Sequence, residues 1–254
     1  MSDLRDTDND WKRVAKDDPF WGVLSRDQFR KESMSDERLA EFMATGERFI
    51  GDIFGLVKAH VVKDFAPKRA LDFGCGVGRL LVPIARRVRE AVGVDVAPAM
   101  LELAAKHVAA ARLGNVTLQT SDDALSNVDG PFDFVNCYIV LQHIPPERGY
   151  GLIDAMIERL AIGGVASLQV TYAKSRSFWK YEEPRARYYR RDGRGIIDMV
   201  DSGWKAPEGT INMYDYDLNQ VMAQIALAAG HPVITLPTTD DDHLGVHFVF
   251  QRAR

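Results

Sequence analysis

The residues best placed to do chemistry stand in one stretch, Ala70-Leu71-Asp72-Phe73-Gly74-Cys75-Gly76-Val77-Gly78-Arg79. It joins a buried-strand pattern to three glycines at alternate positions, and these open a segment, Arg79 to Val88, that reads as a helix. About twenty residues on, the run Ala91-Val92-Gly93-Val94-Asp95 ends in an acid. Strand, glycine turn, helix N-terminus and a carboxylate placed for a ribose make a nucleotide-type cradle. Glycine suits such a turn because the backbone must bend tightly and let a ligand approach where a Cβ would collide. A plain strand-to-helix turn of an unrelated α/β protein would use the same glycines.

The spacing narrows the ligand. A dinucleotide fingerprint is G-x-G-x-x-G. Here the glycines are Gly74, Gly76 and Gly78, and Arg79 stands where a third dinucleotide glycine would fall, which counts against a nicotinamide oxidoreductase. The G-x-G-x-G pattern preceded by Asp72 resembles motif I of class I S-adenosylmethionine-dependent methyltransferases. Three further matches extend that resemblance over about Ala70 to Thr171. Val92 to Asp95 is followed by the helix start Ala97-Pro98-Ala99-Met100-Leu101. The turn Ser121-Asp122-Asp123-Ala124 follows strand 3. Strand 4, Phe132 to Tyr138, runs into Val140-Leu141-Gln142-His143-Ile144-Pro145, as in small-molecule methyltransferases.

The resemblance implies a cofactor, S-adenosylmethionine, with S-adenosylhomocysteine as its product. Asp72 would help hold the methionine amino end, Asp95 would accept from both ribose hydroxyls, and Val96 would lie against the adenine face. Asp122 is placed by register as acceptor for the adenine amino group, with Asp123 its near rival. Tyr138 and Gln142 would line the methyl pocket. His143 is the candidate catalytic base, since imidazole suits proton transfer near neutrality; a polar residue at the start of the next helix is the other reading. Methyl transfer is an in-line displacement, so alignment in a dry site matters most.

These residues need a frame. Apolar strands alternate with helices: strand 1 at Arg69 to Phe73, strand 2 at Ala91 to Val96, strand 3 at Val116 to Thr120, strand 4, and strand 5 at Val165 to Tyr172, with helices from Pro98 and from Pro145-Pro146 between them. That rhythm predicts an α/β, doubly wound, mostly parallel seven-stranded sheet. The resemblance adds a Rossmann-like methyltransferase fold whose last strand, Leu244 to Arg252, is antiparallel to its neighbours. Strand 6 is expected at Pro232 to Pro237, after a helix over Tyr214 to Ala229. Residues 66–254 form the predicted methyltransferase domain.

Residues 1–65 read as a helical N-terminal extension. Met1 to Asn9 is expected to be disordered. Trp11, Phe20 and Trp21 then seek a surface, either packing on the sheet or capping a ligand mouth. Ser35 to Phe65 reads as helical, capped at Ser35 or Asp36, with Gly46 as a break. A second helix starting there could offer its N–H groups to a carboxylate.

Ala173 to Asn212 interrupts the rhythm and is expected to be a lid insertion after strand 5. From Lys174 to Arg194 it carries eight basic residues against three acidic ones, interleaved with Phe178, Trp179, Tyr181, Tyr188 and Tyr189. Tyr172, Arg176, Trp179 and Gln142 are the candidate substrate contacts. Such a segment could hold an anionic or aromatic acceptor, could stack on RNA bases, or could be a solvated basic surface.

Bulk properties bound the rest. The chain has 254 residues and a formal net charge of −4, so there is no global basic footprint for nucleic acid. Strand 4 also departs from the Asn/Asp-Pro-Pro-Tyr/Phe pattern of nucleic-acid amino methyltransferases. Two cysteines, Cys75 and Cys137, suit a reducing cytosol rather than a disulfide scaffold. No signal peptide or membrane-length apolar run is read, so the expected location is cytoplasmic. No Cys/His cluster suggests a metal; Asp240-Asp241-Asp242-His243 reads as a solvated turn. His60 and His107 are expected on the surface, and His243 and His247 are secondary catalytic candidates. The favoured function is methylation of a small molecule, at oxygen first and nitrogen next. A protein that binds S-adenosylmethionine without methylating is the alternative.

Overall fold

The computed structural model describes residues 7–174, 187–191, 197–201, 213–240 and 243–253. Nine strands and seven α-helices are assigned among them. The N-terminal part holds α1 (Thr7–Asp17), α2 (Pro19–Val23) and the long α3 (Asp36–His60). The alternating part follows: β1 (Arg69–Phe73), α4 (Leu81–Ala85), β2 (Glu90–Asp95), α5 (Pro98–Ala110), β3 (Val116–Thr120), β4 (Phe132–Cys137), α6 (Pro146–Glu158) and β5 (Leu160–Lys174). Then come β6 (Arg187–Arg191), β7 (Ile197–Asp201), α7 (Leu218–Ala228), β8 (Ala229–Asp240) and β9 (His243–Arg252).

Seven strands form one sheet in the order β3-β2-β1-β4-β5-β9-β8. β1 to β5 run parallel. β9 is antiparallel to both β5 and β8, so the last strand alone opposes the rest. This is the predicted doubly wound sheet. Its order reverses at β1 and β4, and the crevice beyond their carboxyl ends is where open α/β sheets take ligands. β6 and β7 pair antiparallel in a separate two-stranded sheet inside the stretch read as a lid.

The strands read as apolar runs because helices cover both faces. On one face Ile50, Ile53, Phe54 and Val57 of α3 pack with Ala70, Ile84 and Phe134. On the other, Leu152, Ile153 and Met156 of α6 and Ile225 of α7 pack on Leu71, Val135 and Leu168. Each such side chain contributes about 1.5–3 kcal/mol when fully buried.

Two expectations need correcting in the N-terminal part. Residues 7–9, read as disordered, already belong to α1. Thr7 and Asp8 are tied down by Arg148 of α6, which lies far along the chain. And α3 does not break at Gly46. It runs unbroken for 25 residues from an N-cap in which the Ser35 hydroxyl accepts from the Arg38 N–H at 3.3 Å. The glycine serves packing instead. A Cβ on Gly46 would overlap the backbone carbonyl of Arg79, so the helix lies directly on the turn that follows β1. No second helix N-terminus exists there to meet a carboxylate.

Other boundaries moved for local reasons. The helix after the glycine turn is only Leu81–Ala85, with Pro83 inside it. β5 begins at Leu160, because the Ile162-Gly163-Gly164 turn is absorbed as an irregularity in its pairing with β4. α7 starts four residues later than predicted, at Leu218, after the cap Asp217, whose carboxylate accepts from Asn219 N–H. His107 is half-buried, its Nδ1 2.7 Å from the Val77 carbonyl, rather than a plain surface residue.

The contrast within α3 gives a direct test. Gly46→Ala should destabilise the protein by about 1–3 kcal/mol through overpacking against Arg79. Gly55 is exposed on the same helix, and a Cβ there meets nothing within 4 Å, so Gly55→Ala should stabilise by roughly 0.5–1 kcal/mol. Urea unfolding of the two variants, with helicity followed by circular dichroism, checks both signs.

Candidate cofactor and acceptor site

A cavity of about 550 Å³ opens at the carboxyl ends of the central strands. That volume suits a drug-sized ligand. Its walls include Gly74, Gly76, Arg79, Asp95, Val96, Asp122, Asp123, Tyr138 and His143, together with Trp11 of α1. Thus the glycine turn, the acid ending β2, the turn after β3 and the loop after β4 converge on one space, although their motifs are spread over about seventy residues of sequence.

The glycine turn is held in a conformation that side chains resist. Gly74, Gly76 and Gly78 have φ of 69°, 52° and 87°. A Cβ on Gly74 would overlap Val140 of the opposite loop. Gly78 is not on the cavity wall; it faces Ala104 of α5 and allows that helix to pack closely.

Asp95 ties the turn to the next helix. Its Oδ2 accepts from the Gly76 N–H and its Oδ1 from the Ala97 N–H, both at 2.9 Å. Each carboxylate oxygen has a second lone pair to offer the cavity. Burial pushes Asp95 up to about 6, against the lowering effect of the N–H groups of Ala97, Gly76 and Val96. Asp72 lies immediately behind Phe73 and Gly74, 2 % exposed. Its Oδ1 accepts from Asn136 Nδ2 at 2.8 Å. Its Oδ2 is buried with no hydrogen-bond partner among the described residues. Burial pushes Asp72 up to about 7; the Asn136 hydrogen bond and the Arg79 charge pull it down, while Asp95 adds to the rise.

The two acids after β3 differ. Asp122 Oδ1 accepts from the N–H groups of Ala124 and Ser126, an Asx-type turn that holds its carboxyl below the usual range. Asp123 is gripped by Arg148, with Oδ1 2.6 Å from Nη2 and Oδ2 2.7 Å from Nε. The same guanidinium reaches both oxygens of Asp8 on α1, at 3.0 and 3.1 Å. Arg148 thereby fastens the N-terminal helix across the cavity rim.

The loop after β4 turns sharply. Ile139, a β-branched residue, has φ of 60°, a strained conformation costing about 1–3 kcal/mol. The Gln169 side chain accepts from its N–H at 3.1 Å. Tyr216 braces the loop from below, its hydroxyl within 2.9 Å of the carbonyls of Leu141 and Ile144. His143 follows, 8 % exposed, with the Trp11 ring edge-on at 4.8 Å. Trp11 therefore both packs and walls the cavity, the two roles that the sequence left open for the N-terminal aromatics.

Not every anticipated residue reaches this space. Gln142 is 1 % exposed and buried behind the wall, within 3.5 Å of the Gln169 amide, because the short helical turn at Leu141–His143 points it inward. Tyr172 is exposed near the end of β5 and does not line the cavity. Arg176 and Trp179 lie outside the described residues, as do Asp241 and Asp242. His247 sits deep in β9, 2 % exposed, and burial pushes its imidazole down to about 4. Conversely, sequence spacing gave no sign of Arg148 as a fastening, since its hold on Asp8 spans 140 residues of chain. Arg79 had been read only as a missing glycine; it is a cavity-wall cation, 5 % exposed, with Nη1 3.3 Å from the Thr45 hydroxyl. Among the described residues no group of three or more His, Cys, Asp or Glu side chains could hold a metal ion, and no helix is long and apolar enough to cross a membrane.

Comparison with known proteins agrees with this geometry. Residues 70–164 match the family model described as a methyltransferase domain. The chain is 33 % identical over 117 residues to the ubiquinone biosynthesis O-methyltransferase of Psychrobacter cryohalolentis, covering 44 % of each chain. It is 31 % identical over 134 residues to the 23S rRNA (uracil(1939)-C(5))-methyltransferase of Pseudomonas aeruginosa, covering 53 % of this chain and 29 % of the relative. The chain thus spans less than half the length of these curated relatives. In structure it resembles the N-methyltransferase NodS of Bradyrhizobium japonicum in complex with S-adenosylhomocysteine, with a TM-score of 0.60 at 14 % identity over 98 % of this chain and all of NodS. It also resembles the magnesium protoporphyrin IX methyltransferase of Synechocystis with bound S-adenosylmethionine, with a TM-score of 0.59 at 16 % identity over 99 % of this chain and 100 % of that one. With the strand order, the glycine turn and the acid ending β2 all in place, residues 70–164 match a methyltransferase domain, and the fold is the Rossmann-like one of S-adenosylmethionine-dependent methyltransferases.

Proposed function

We propose that the protein transfers the methyl group of S-adenosylmethionine to a small-molecule acceptor, with an oxygen nucleophile favoured over nitrogen. The observation that carries this reading is the single cavity in which the glycine turn, Asp95, the acids after β3 and His143 meet, with the unpaired Oδ2 of Asp72 directly behind it. Bound there, S-adenosylmethionine supplies an electrophilic methyl group on a sulfonium, with a neutral thioether as the leaving group.

The chain's own residues then divide the work. Asp95 accepts from the two ribose hydroxyls, and Val96 and Tyr138 border the ring systems. Asp122 takes the adenine amino group in preference to Asp123, because both oxygens of Asp123 are already engaged by Arg148. Asp72 faces the methionine ammonium, and Arg79 supplies the cation for its carboxylate. Gly74 and Gly76 leave room for backbone approach. His143, walled off from water by Trp11, takes a proton from the acceptor where the acceptor carries one. Residues 1–65 act as a cap on a domain spanning 66–254, and 173–212 act as the acceptor lid, with Arg176, Trp179 and Tyr172 as its contacts. The name of the ubiquinone O-methyltransferase supports an oxygen acceptor, and NodS, named an N-methyltransferase, keeps nitrogen as the second choice. The net charge of −4 speaks for a small molecule rather than RNA. The buried free cysteines, Cys75 and Cys137, fit a cytoplasmic location. A protein that binds the cofactor without methylating is disfavoured by the placement of His143 on the cavity wall.

Calorimetric titration tests the reading: S-adenosylmethionine and S-adenosylhomocysteine should bind at micromolar level and NAD should not. Asp95→Asn should weaken S-adenosylmethionine binding by roughly 100-fold or more, the loss of two hydrogen bonds to a charged acceptor at about 1.5 kcal/mol each. His143→Ala should reduce turnover of a confirmed acceptor by about a hundredfold or more while the cofactor affinity stays within about twofold.

The raised carboxyls fix a pH dependence. Asp72 and Asp95 ionise at about 7 and about 6 in the folded chain, above their ordinary 3.8. The folded state therefore holds extra protons between about pH 4 and pH 7, and the stability these groups contribute falls as pH rises through that window. A cationic ligand favours the ionised forms. Cofactor affinity should accordingly climb between about pH 5 and pH 8, and Asp72→Asn should flatten the upper part of that climb. Calorimetry across the range reads it directly.

A further inference from the structure

Four buried polar side chains form one hydrogen-bonded file across the middle of the sheet. Asp72 stands on β1, Asn136 on β4, Ser167 on β5 and His247 on β9. They are 2 %, 0 %, 0 % and 2 % exposed. Asp72 pairs in register with Asn136, and Asn136 with Ser167. Ser167 pairs with Val249, so His247, two residues earlier on β9, is its diagonal neighbour on the same face. Asn136 Nδ2 donates to Asp72 Oδ1 at 2.8 Å. Ser167 Oγ donates to Asn136 Oδ1 at 3.0 Å. Ser167 Oγ also lies 2.8 Å from His247 Nε2.

The file has a direction. A serine hydroxyl carries one hydrogen. If Ser167 gives it to Asn136, then Ser167 must accept at His247, and the imidazole carries its proton on Nε2. That tautomer pins the Asn136 amide with its NH₂ toward Asp72. The other tautomer would draw the serine hydrogen to His247 and leave Asn136 Oδ1 without a donor. The amide could then rotate and set oxygen against oxygen at Asp72. Phe49, stacked on His247 at 5.7 Å, and Tyr138, at 5.3 Å, keep the ring in place and out of water. Burial keeps it neutral well below pH 6.

We propose that His247, acting through Ser167 and Asn136, is a positioning residue that fixes the Asp72 carboxylate so that Oδ2 is presented to the ammonium of the cofactor's methionine end. This rests on the reading of the cavity as an S-adenosylmethionine site. Asp72 has other charged and titratable neighbours: Arg79 on the turn after β1, Asp95 ending β2, and the thiols of Cys75 and Cys137. None of these orients it by a hydrogen bond; Asn136 does.

The test compares two ligands on the full chain. S-adenosylhomocysteine has the amino-acid end, and 5′-methylthioadenosine lacks it. His247→Phe and Ser167→Ala should each weaken S-adenosylhomocysteine about tenfold while methylthioadenosine changes less than about twofold. The pH midpoint of S-adenosylhomocysteine binding should move upward in both, since Asp72 loses a fixed donor. His247→Gln, which keeps an N–H donor near the Nε2 position, should restore most of the affinity. Ser167→Ala removes a single atom, so it remains informative if His247→Phe does not fold. Equal loss for both ligands, or no loss for S-adenosylhomocysteine, would overturn the proposal. If the unaltered protein binds neither ligand, the cofactor reading itself fails and takes this proposal with it.

Discussion

The Asp95 carboxylate holds the site together. One oxygen takes the N–H of Gly76 and the other that of Ala97, so a single side chain joins the turn after β1 to the start of α5. Both turns carry backbone donors that a ligand site must leave accessible and a fold must not leave unpaired. Placing the acceptor at the strand end satisfies them without filling the space in front. The positive φ values of the glycines, the close seating of α3 on the Arg79 carbonyl and the packing of Gly78 on α5 all depend on that turn keeping its shape.

Around it the sheet interior carries an uncommon electrostatic load. Asp72, Asn136, Ser167, His247 and Arg79 are all nearly inaccessible. Burying such groups costs several kcal/mol unless each finds a partner, and Asp72 Oδ2 does not find one among the described residues. Its carboxyl consequently sits near 7. An apolar residue there would make a more stable sheet. A buried acid that is only half satisfied makes sense where a cation completes it.

How much of this could be read from the chain depended on range. The strands β1, β3 and β4 were legible almost to the residue because they are short apolar runs bounded by turn signals. Asp95 and the glycines were legible because their chemistry is local: spacing along the chain maps to spacing in the turn. Gly46 misled because a glycine inside a helical pattern signals a break or a close approach equally, and only the partner, Arg79, distinguishes them. Gln142 misled because a one-residue difference on a tight turn decides between wall and interior, leaving its neighbour His143 facing the cavity. Arg148 and the file ending at His247 were illegible for a different reason. Their partners lie 25 to 141 residues away, and nothing in a single sequence marks such pairs.

The Asp8–Arg148–Asp123 fastening also has a consequence in time. Asp8 and Arg148 are 140 residues apart. At translation rates of about 5–20 residues per second, roughly 7–30 s separate their synthesis. During that interval the nascent chain has made α1, with Trp11, and then the strands β1 to β4, but not the arginine that locks α1 over them. Until Arg148 is made, the cavity therefore lacks the fastening that holds α1 across its rim.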